Sequence, residues 1–600
     1  MAGATAKARK ARNAGRKAGR VRAYGSTTTV RPKSVKGGKA QKRIRLIAAR
    51  NEFESFQLRI QAKRKLKRVR VSLAGPLKGP HGAQIDEDDV TLYRAATYQV
   101  KASAGKPRSS RQGAQGLWPD ALIPEIDPYY HEDRAAFPML IKRGGSRLVW
   151  GDVFVDRGLP PGTYKGAVKV GSARGLVGRV PIKVIVIDHT MPSTSSLRSA
   201  FLNTPPGYVP CRAHWAVDWC YQEADRNWRL AYLYTRAALE NRVTIPNLVP
   251  GGFDQPPDPA KFREYVLPLI DGDDAGGIAG TAPPRLRGAR LTSVVAMWQS
   301  IVAGNGCLAE WRRLANNHGF ADRFISYVCD EPTLQSQPEY WNDWADCRDN
   351  SALARQRFPE SKTLVTAWIQ NARQAEREKL VAVERDIDLI APLVNYLANR
   401  PGNPQTGNQR PAYNDFLGSS PRKEMWAYTA CPQFSCDEFE APYFDGWPAY
   451  AIDQPAPLAR AMGWIAHYYR LDGELYHNVS LALRTAWKDQ YRWGGNGDGT
   501  LFYPGAPKGF RGSPAIGGEH DIPIESMRLK RIRDGREDYE LMRAASRSGA
   551  NGADKVEAAL RDALGGRDSA MYSAAISQRK VNKMRCKVMR VLDPVRVPSC

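Results

Sequence analysis

Between residue 43 and about residue 190, apolar and polar positions alternate. Ile44 and Leu46, then Phe56, Leu58 and Ile60, then Val69 and Val71 occupy every second place, the period of a strand with one buried face. The rhythm returns in VTLYRAATYQV, RLVWGDVFVD, GAVKVG and VGRVPIKVIVIDHT, with turn signals such as PPGTYKG between the runs. Many short strands without long helices predict an antiparallel β-sandwich over 43–192. After about residue 195 the period changes. The helical stretches NWRLAYLYTRAALENR, CLAEWRRLANN, YWNDWADCRDNSALARQRF, REKLVAVERDI and APLARAMGWIAHYYR are interleaved with the short apolar runs SAFLNT, RFISYVCDEP, KTLVTAW, DLIAPLVNYL, KEMWAYTAC and GELYHNV. Strand–helix alternation means a parallel sheet, and about eight repeats over 193–547 predict a (β/α)8 barrel of the TIM type. An open doubly wound sheet is the alternative, but no Gly-rich phosphate loop follows the first strand. RLKRIRDGREDYELMRAAS reads as the closing barrel helix, with Gly535 costing about 1 kcal/mol relative to Ala. Residues 548–600 read as a basic, partly helical extension.

Composition narrows the class. With 600 residues, 42% hydrophobic residues, 15 Trp, 25 Tyr and 16 Phe, the chain has ample apolar surface and more than one core's length. No apolar run approaches the eighteen residues of a membrane span. The net charge is +28, and residues 1–50 hold sixteen Lys and Arg with no Asp or Glu. Residues 1–42 are therefore expected to be a basic, disordered tail, dispensable for folding, whose partner would be a polyanion held with strong salt dependence. No apolar stretch follows the first basic residues as an export signal requires, so the sequence as written reads as cytoplasmic.

The nine cysteines (211, 220, 307, 329, 347, 431, 436, 586 and 600) show no C-x-x-C pair, and the eight histidines show no H-E-x-x-H. The reading is reduced thiols, no zinc, no metal and no cofactor, with Cys431 and Cys436 the pair that would bridge if the protein were exported.

Reactive groups of a barrel lie where its strands end. One apolar run, Phe324 to Val328, leads into Asp330-Glu331-Pro332. Neighbouring side chains on a strand point to opposite faces, but Pro332 ends the ladder and lets both acids lean over the mouth. Two carboxylates this close repel, which raises at least one pKa toward the range of a general acid. Asp330 and Glu331 are thus the expected catalytic pair. Asp437 and Asp498 are alternatives, the latter in the turn NGDG. Aromatic residues at other run ends (Trp368, Tyr396, Trp426, Tyr428, Trp487 and Tyr503) suit the stacking of a sugar ring, and Asn203 is placed to bind a hydroxyl or to make a turn. There is no G-x-S-x-G elbow and no P-loop.

The segments NEFESFQ (51–57), WPDALIP (118–124), PPGTYKG (160–166), GGNGDGTLFYPG (494–505) and IPIESMRLKRIRDGREDYEL (522–541) together resemble glycoside hydrolase family 123 and its N-terminal sandwich. The resemblance implies a β-N-acetylgalactosaminidase-like barrel in which an adjacent Asp-Glu pair works with the substrate's own 2-acetamido group. It implies that Asp330 polarises that group while its oxygen attacks C1, and that Glu331 protonates the leaving oxygen and then activates water. This is one of the substrate-assisted exceptions to the two-carboxylate scheme. It also implies a glycan substrate and an exported protein. Two other readings stay open, a glycosidase for a different sugar using the same acids and a non-catalytic glycan-binding protein.

Overall fold

The computed structural model describes residues 14–103, 114–203, 209–215, 224–247, 250, 252–272, 278–303, 306–334, 342–398, 407–430, 447–492, 495–510, 512–564 and 576–600. Cys220, Cys431, Cys436 and Asp437 lie outside these residues.

The N-terminal part is built from β1 (Gly19–Gly25), β2 (Ile44–Arg50), β3 (Glu52–Ala62), β4 (Leu66–Leu73), β5 (Val90–Val100), β6 (Gly116–Pro124), β7 (Met139–Ile141), β8 (Ser146–Val155), β9 (Gly162–Ser172) and β10 (Gly175–Thr190). One sheet has the order β1-β3-β8-β5-β6 and the other β7-β4-β9-β10-β2. Pairing is antiparallel except between β10 and β2. Leu58 and Ile60 of one sheet and Val168 and Val184 of the other belong to a single buried core, as the period-2 pattern requires. The disordered tail expected over 1–42 does not hold for 14–42. β1 is an edge strand paired with β3 from Gly19↔Ala62 to Gly25↔Phe56, and Ala23, Tyr24 and Val30 are buried. The few apolar residues of this basic run suffice because a short edge strand needs only a few buried side chains, and residues 14–42 are part of the folded N-terminal sheets.

The C-terminal part holds seven parallel strands: β11 (Arg198–Phe201), β12 (Val294–Met297), β13 (Phe324–Asp330), β14 (Lys362–Thr366), β15 (Leu389–Ile390), β16 (Glu424–Thr429) and β17 (Gly473–Tyr476). Their order is β11-β17-β16-β15-β14-β13-β12. The (β/α)8 barrel is therefore corrected: among the described residues the sheet has seven strands and is nearly closed. Residues 243–247 stand between its two edges. The amide of Phe201 on β11 donates to the Thr244 carbonyl (2.9 Å) and that of Val295 on β12 to the Pro246 carbonyl (3.3 Å). This segment cannot become an eighth strand. Pro246 has no N–H to give, and the Thr244 amide is spent on the Ser199 hydroxyl (3.0 Å). Ile325, Tyr327, Leu364, Leu389, Trp426 and Leu475 fill the interior of the sheet.

One helix joins the two parts. Among α1 (Ala224–Glu240), α2 (Trp344–Arg357), α3 (Leu458–Tyr468), α4 (Met527–Ser546), α5 (Gly552–Leu564) and α6 (Gln578–Leu592), α4 is charged all round and yet almost wholly buried. Most of these charges meet an opposite charge, while Arg531 donates to the Ser26 carbonyl (3.2 Å). Arg528 pairs with Asp120 (2.8 Å) and Arg533 with Asp152 (2.9 Å) in the N-terminal sheets. Arg536 pairs with Glu474 (2.7 Å), Glu537 with Arg242 (3.1 Å) and Asp538 with Arg460 (2.6 Å) on the barrel side. Arg585 of α6 bridges Asp538, Glu52 and Glu54. Gly535 is not a weak point of this helix. A methyl group there would overlap the carbonyl oxygen of Arg460, and one on Gly463 would overlap that of Gly535, so α3 and α4 cross where neither carries a side chain.

The thiols are also corrected. Cys329 is bonded to Cys347 and Cys586 to Cys600, with Cα atoms 5.3 and 5.8 Å apart, and Cys211 is likewise disulfide-bonded. Spacing along the chain carried no hint, because β13 and α2 bring the first pair together only in space. Among the described residues no helix is long and apolar enough to cross a membrane.

Gly535→Ala is expected to destabilise the protein by about 1–3 kcal/mol through overpacking. An uncrowded helix would instead be stabilised by about 1 kcal/mol from the same change. The midpoint of urea unfolding distinguishes the two.

Candidate active site

The catalytic pair predicted from sequence stands at the C-terminal end of β13, and two backbone irregularities aim it. Along β13, Ile325 and Tyr327 face the sheet interior, so strict alternation would turn Cys329 inward and Asp330 away. The pairing with β14 slips between Tyr327↔Leu364 and Cys329↔Val365, so two residues of β13 oppose one of β14. This bulge reverses the parity: Cys329 faces outward to its disulfide partner on α2, and Asp330 comes round beside Tyr327. Bulges at strand ends re-aim side chains in this way. The next residue, Glu331, has φ 43°, a left-handed conformation costly for a residue with a Cβ. That turn carries the Glu331 side chain back over the same mouth, where the Tyr428 hydroxyl donates to its Oε1. The sequence argument relied on a flared end before Pro332. The structure uses a bulge and a left-handed turn.

The two carboxylates have different surroundings. Asp330 Oδ1 accepts from the Tyr327 hydroxyl (2.6 Å) and from Thr366 Oγ1 (2.7 Å), two donors that fix its orientation. Thr366 Oγ1 also accepts from the backbone N–H of Glu331 (2.8 Å), and the Asp330 N–H donates to Asn342 Oδ1 (3.3 Å). Glu331 titrates above the usual carboxylate range, chiefly because the surrounding protein desolvates it and next because Asp330 is negative, while the Tyr428 hydrogen bond opposes the rise. Both acids are reachable from solvent, and neither Asp330 Oδ2 nor Glu331 Oε2 bonds to any described residue. Burial and a negative neighbour bias Glu331 to keep a proton, Asp330 is fixed by two hydroxyl donors, and each carboxyl presents one oxygen with no partner among the described residues.

The other expected site residues divide. Trp368 and Tyr396, both partly exposed, follow β14 and β15 and stack with ring centroids 4.4 Å apart at 19°. Tyr428, on β16, touches Glu331. Asn203, just past β11, is fully buried; its amide donates to Asn247 Oδ1 (2.9 Å) and its own Oδ1 accepts from Ser480. Trp426 lies below the mouth in the sheet interior, packed where a methyl on Gly473 would go, with its Nε1 on Glu424 (2.8 Å). Trp487 and Tyr503 pack against each other with ring centroids 4.9 Å apart and planes tilted by 53°, but the Tyr503 hydroxyl donates to Asp120 of β6 (2.7 Å). That pair belongs to the junction of the two parts, not to the strand ends. Asp498 is buried and accepts from the Tyr476 hydroxyl (3.0 Å), a structural role. Sequence reasoning passed over Thr366, Tyr327 and Trp298, whose ring meets Tyr327 edge-on at 5.7 Å. Thr366 had a signal: it is the hydroxyl that closes the apolar run KTLVT. Among the described residues no cluster of His, Cys, Asp and Glu suits a metal ion.

Thr366 holds Asp330 by its side chain and Glu331 by its backbone. Thr366→Val, nearly isosteric, is expected to lower kcat/KM by roughly 10- to 100-fold, the worth of a hydrogen bond to a charged group. Thr366→Ser should recover most of the loss, and the melting temperature of Thr366→Val shows whether the fold is intact.

No protein-family model matches the sequence, and no curated protein matches it. Among solved structures, a family 123 glycoside hydrolase from Clostridium perfringens, described in terms of glycolipid glycan hydrolysis, superposes with a TM-score of 0.62 over 96% of this chain and 97% of its own, at 10% identity. A family 39 glycoside hydrolase from Bacteroides cellulosilyticus (TM-score 0.27, 9% identity, 68% of this chain and 75% of its own) and a family 5 xyloglucanase from Bacteroides ovatus (0.24, 11%, 83% and 99%) fall below a shared fold. From β1 to α6, the chain has the fold of the family 123 enzyme.

Proposed function

We propose that the protein is a glycoside hydrolase that acts on β-linked 2-acetamido-2-deoxy sugars by a substrate-assisted, retaining mechanism. The observation that carries this reading is the adjacency of Asp330 and Glu331 in one mouth, the first held by two hydroxyl donors and the second biased to keep a proton. A conventional pair must straddle the sugar, one acid on each face. Two consecutive residues on one strand end suit a reaction in which the second face is served by the substrate itself.

In this scheme the acetamido oxygen attacks C1 as the bond to the leaving oxygen breaks. Asp330, fixed by Tyr327 and Thr366, accepts the acetamido N–H through Oδ2 and stabilises the positive charge that develops on the amide. Glu331 gives its proton to the leaving oxygen. The cyclic oxazolinium ion is then opened by water, and Glu331, now a carboxylate, takes the water's proton. Configuration at C1 is retained after two displacements. The stacked Trp368 and Tyr396 offer an aromatic face to the sugar ring. The fold shared with a family 123 enzyme supports the reading, as do the residues carrying the sequence resemblance.

The pH dependence follows from the causes of the Glu331 shift. An acid whose pKa is raised stays protonated to higher pH, so kcat/KM falls as pH rises through that value. Tyr428→Phe removes the one contact that lowers it, and the alkaline limb should move to higher pH. Asp330→Asn removes the neighbouring charge, and the same limb should move to lower pH in the residual activity. Shifts in the opposite senses would contradict the roles.

The leaving group separates the two acids. Glu331→Gln should cost roughly 10²–10⁴-fold on an alkyl glycoside and far less on an activated aryl glycoside, where protonation contributes little. Asp330→Asn should cost the same on both. Equal turnover of sugars bearing a plain 2-hydroxyl would remove the acetamido mechanism. Binding of glycans without any turnover would favour a non-catalytic role.

A further inference from the structure

Residues 1–51 and residues 55–85 contain no Asp or Glu. The second carries eight Lys and Arg between Arg59 and Lys78. The fold lays the two side by side. β1 pairs with β3 with Arg20 opposite Gln61 and Arg22 opposite Arg59, and the two-residue period puts Arg20 and Arg22 on the same face. The turn after β3 is tied to the start of β1, because the amides of Lys63 and Arg64 both donate to the Ala18 carbonyl (2.9 and 3.0 Å). The turn before β8 is drawn in as the Gly144 amide donates to the Ala62 carbonyl (2.8 Å).

The result is a pocket of about 380 Å³ lined by Arg20, Arg22, Lys63 and Arg143 with Gln61, Ala62 and Gly144. No carboxylate lines it. None of the four basic side chains has a hydrogen-bond or ion-pair partner among the described residues. Four cations thus converge on one concavity with no carboxylate to neutralise them. Like charges held together repel, and the field they focus recruits anions. Three guanidinium forks and an ammonium suit sulfate and carboxylate oxygens, which guanidinium binds two at a time.

We propose that this pocket is a binding site for an acidic glycan, a saccharide bearing sulfate or carboxylate groups, on the N-terminal sheets and apart from the catalytic mouth. It gives the polyanion contact expected of the basic N-terminal run a defined place on β1. Two observations favour a glycan over a nucleic acid. No aromatic ring lines the pocket, so a base would have nothing to stack on. The disulfides Cys329–Cys347 and Cys586–Cys600 suit an oxidising compartment, where acidic glycans rather than nucleic acids are the common polyanions. The pocket volume lies in the range of small-ligand sites, at its lower end. The site stands whether or not the mouth cleaves a glycoside.

The test is calorimetric titration of the full chain with a heparin oligosaccharide, with the same oligosaccharide after desulfation and carboxyl reduction, with duplex DNA of equal length, and with phosphatidylserine vesicles. Heparin is expected to bind, the neutral derivative is not, and affinity should fall on the order of 10²-fold between about 50 and 200 mM salt for four ionic contacts. Replacing Arg20, Arg22, Lys63 and Arg143 together by Ser should lower heparin affinity by at least about 30-fold without moving the melting temperature. If the fourfold variant does not fold, the single variants Arg20→Ser and Arg143→Ser should each lower affinity several-fold. Unchanged heparin affinity in these variants would overturn the proposal. So would DNA or vesicles binding through the same four residues as tightly as heparin.

Discussion

The interaction on which the rest of this structure depends is the burial of α4. Its charges would each cost several kcal/mol if left unpaired in a low-dielectric interior, and five of its ion pairs reach five different elements: Asp120 on β6, Asp152 on β8, Arg242 after α1, Arg460 on α3 and Glu474 on β17. Such a helix cannot be satisfied by either half of the molecule alone. The pairs therefore specify how the N-terminal sheets seat against the barrel. The matching has local strain: burial lifts the Glu537 carboxyl to about 7 and Glu54 to about 8 despite their arginine partners. The α3–α4 crossing at Gly463 and Gly535 brings Arg460 within reach of Asp538, so the close backbone approach and the ion pair require one another.

With the barrel held in this way, the mouth is set by events at a few strand ends. The bulge in β13 and the left-handed Glu331 put two consecutive carboxylates on one side. Thr366 and Tyr428 then give them different partners, and burial does the rest. The disulfide at Cys329 ties the residue immediately before Asp330 to α2, so the strained turn is anchored on its outer side. Strain of this kind persists only where neighbours over-determine it.

This division explains what could be read from the chain. The alternating pattern of 43–190 and the strand–helix rhythm beyond it are local signals, and they placed most strands, including the one ending at Asp330. The missing eighth strand was invisible because its place is taken by a proline-containing connection whose position depends on both sheet edges. The tail was misjudged because Val21, Ala23 and Tyr24 are too few to register as a strand pattern but enough for an edge. The segments that resemble family 123 are mostly junction residues. NEFESFQ supplies Ser55, which contacts Arg533; WPDALIP supplies Asp120; and GTLFYPG supplies Tyr503, which donates to Asp120. These motifs identify how the two parts fit together, not the sugar in the mouth. The aromatics Trp426, Trp487 and Tyr503 were drawn to the site by their places near the ends of apolar runs, and packing claims them.

The central claim is that the substrate's acetamido oxygen, polarised by Asp330, is the nucleophile. The most direct measurement is kcat/KM for a series of aryl 2-acetamido glycosides in which the acetyl group carries none, one, two or three fluorine atoms. Each fluorine withdraws electron density from that oxygen while leaving the leaving group and Glu331 untouched. The account predicts a steep, monotonic fall in rate along the series. A flat series would show that the amide takes no part in bond formation, and the assignment of Asp330 would fail with it.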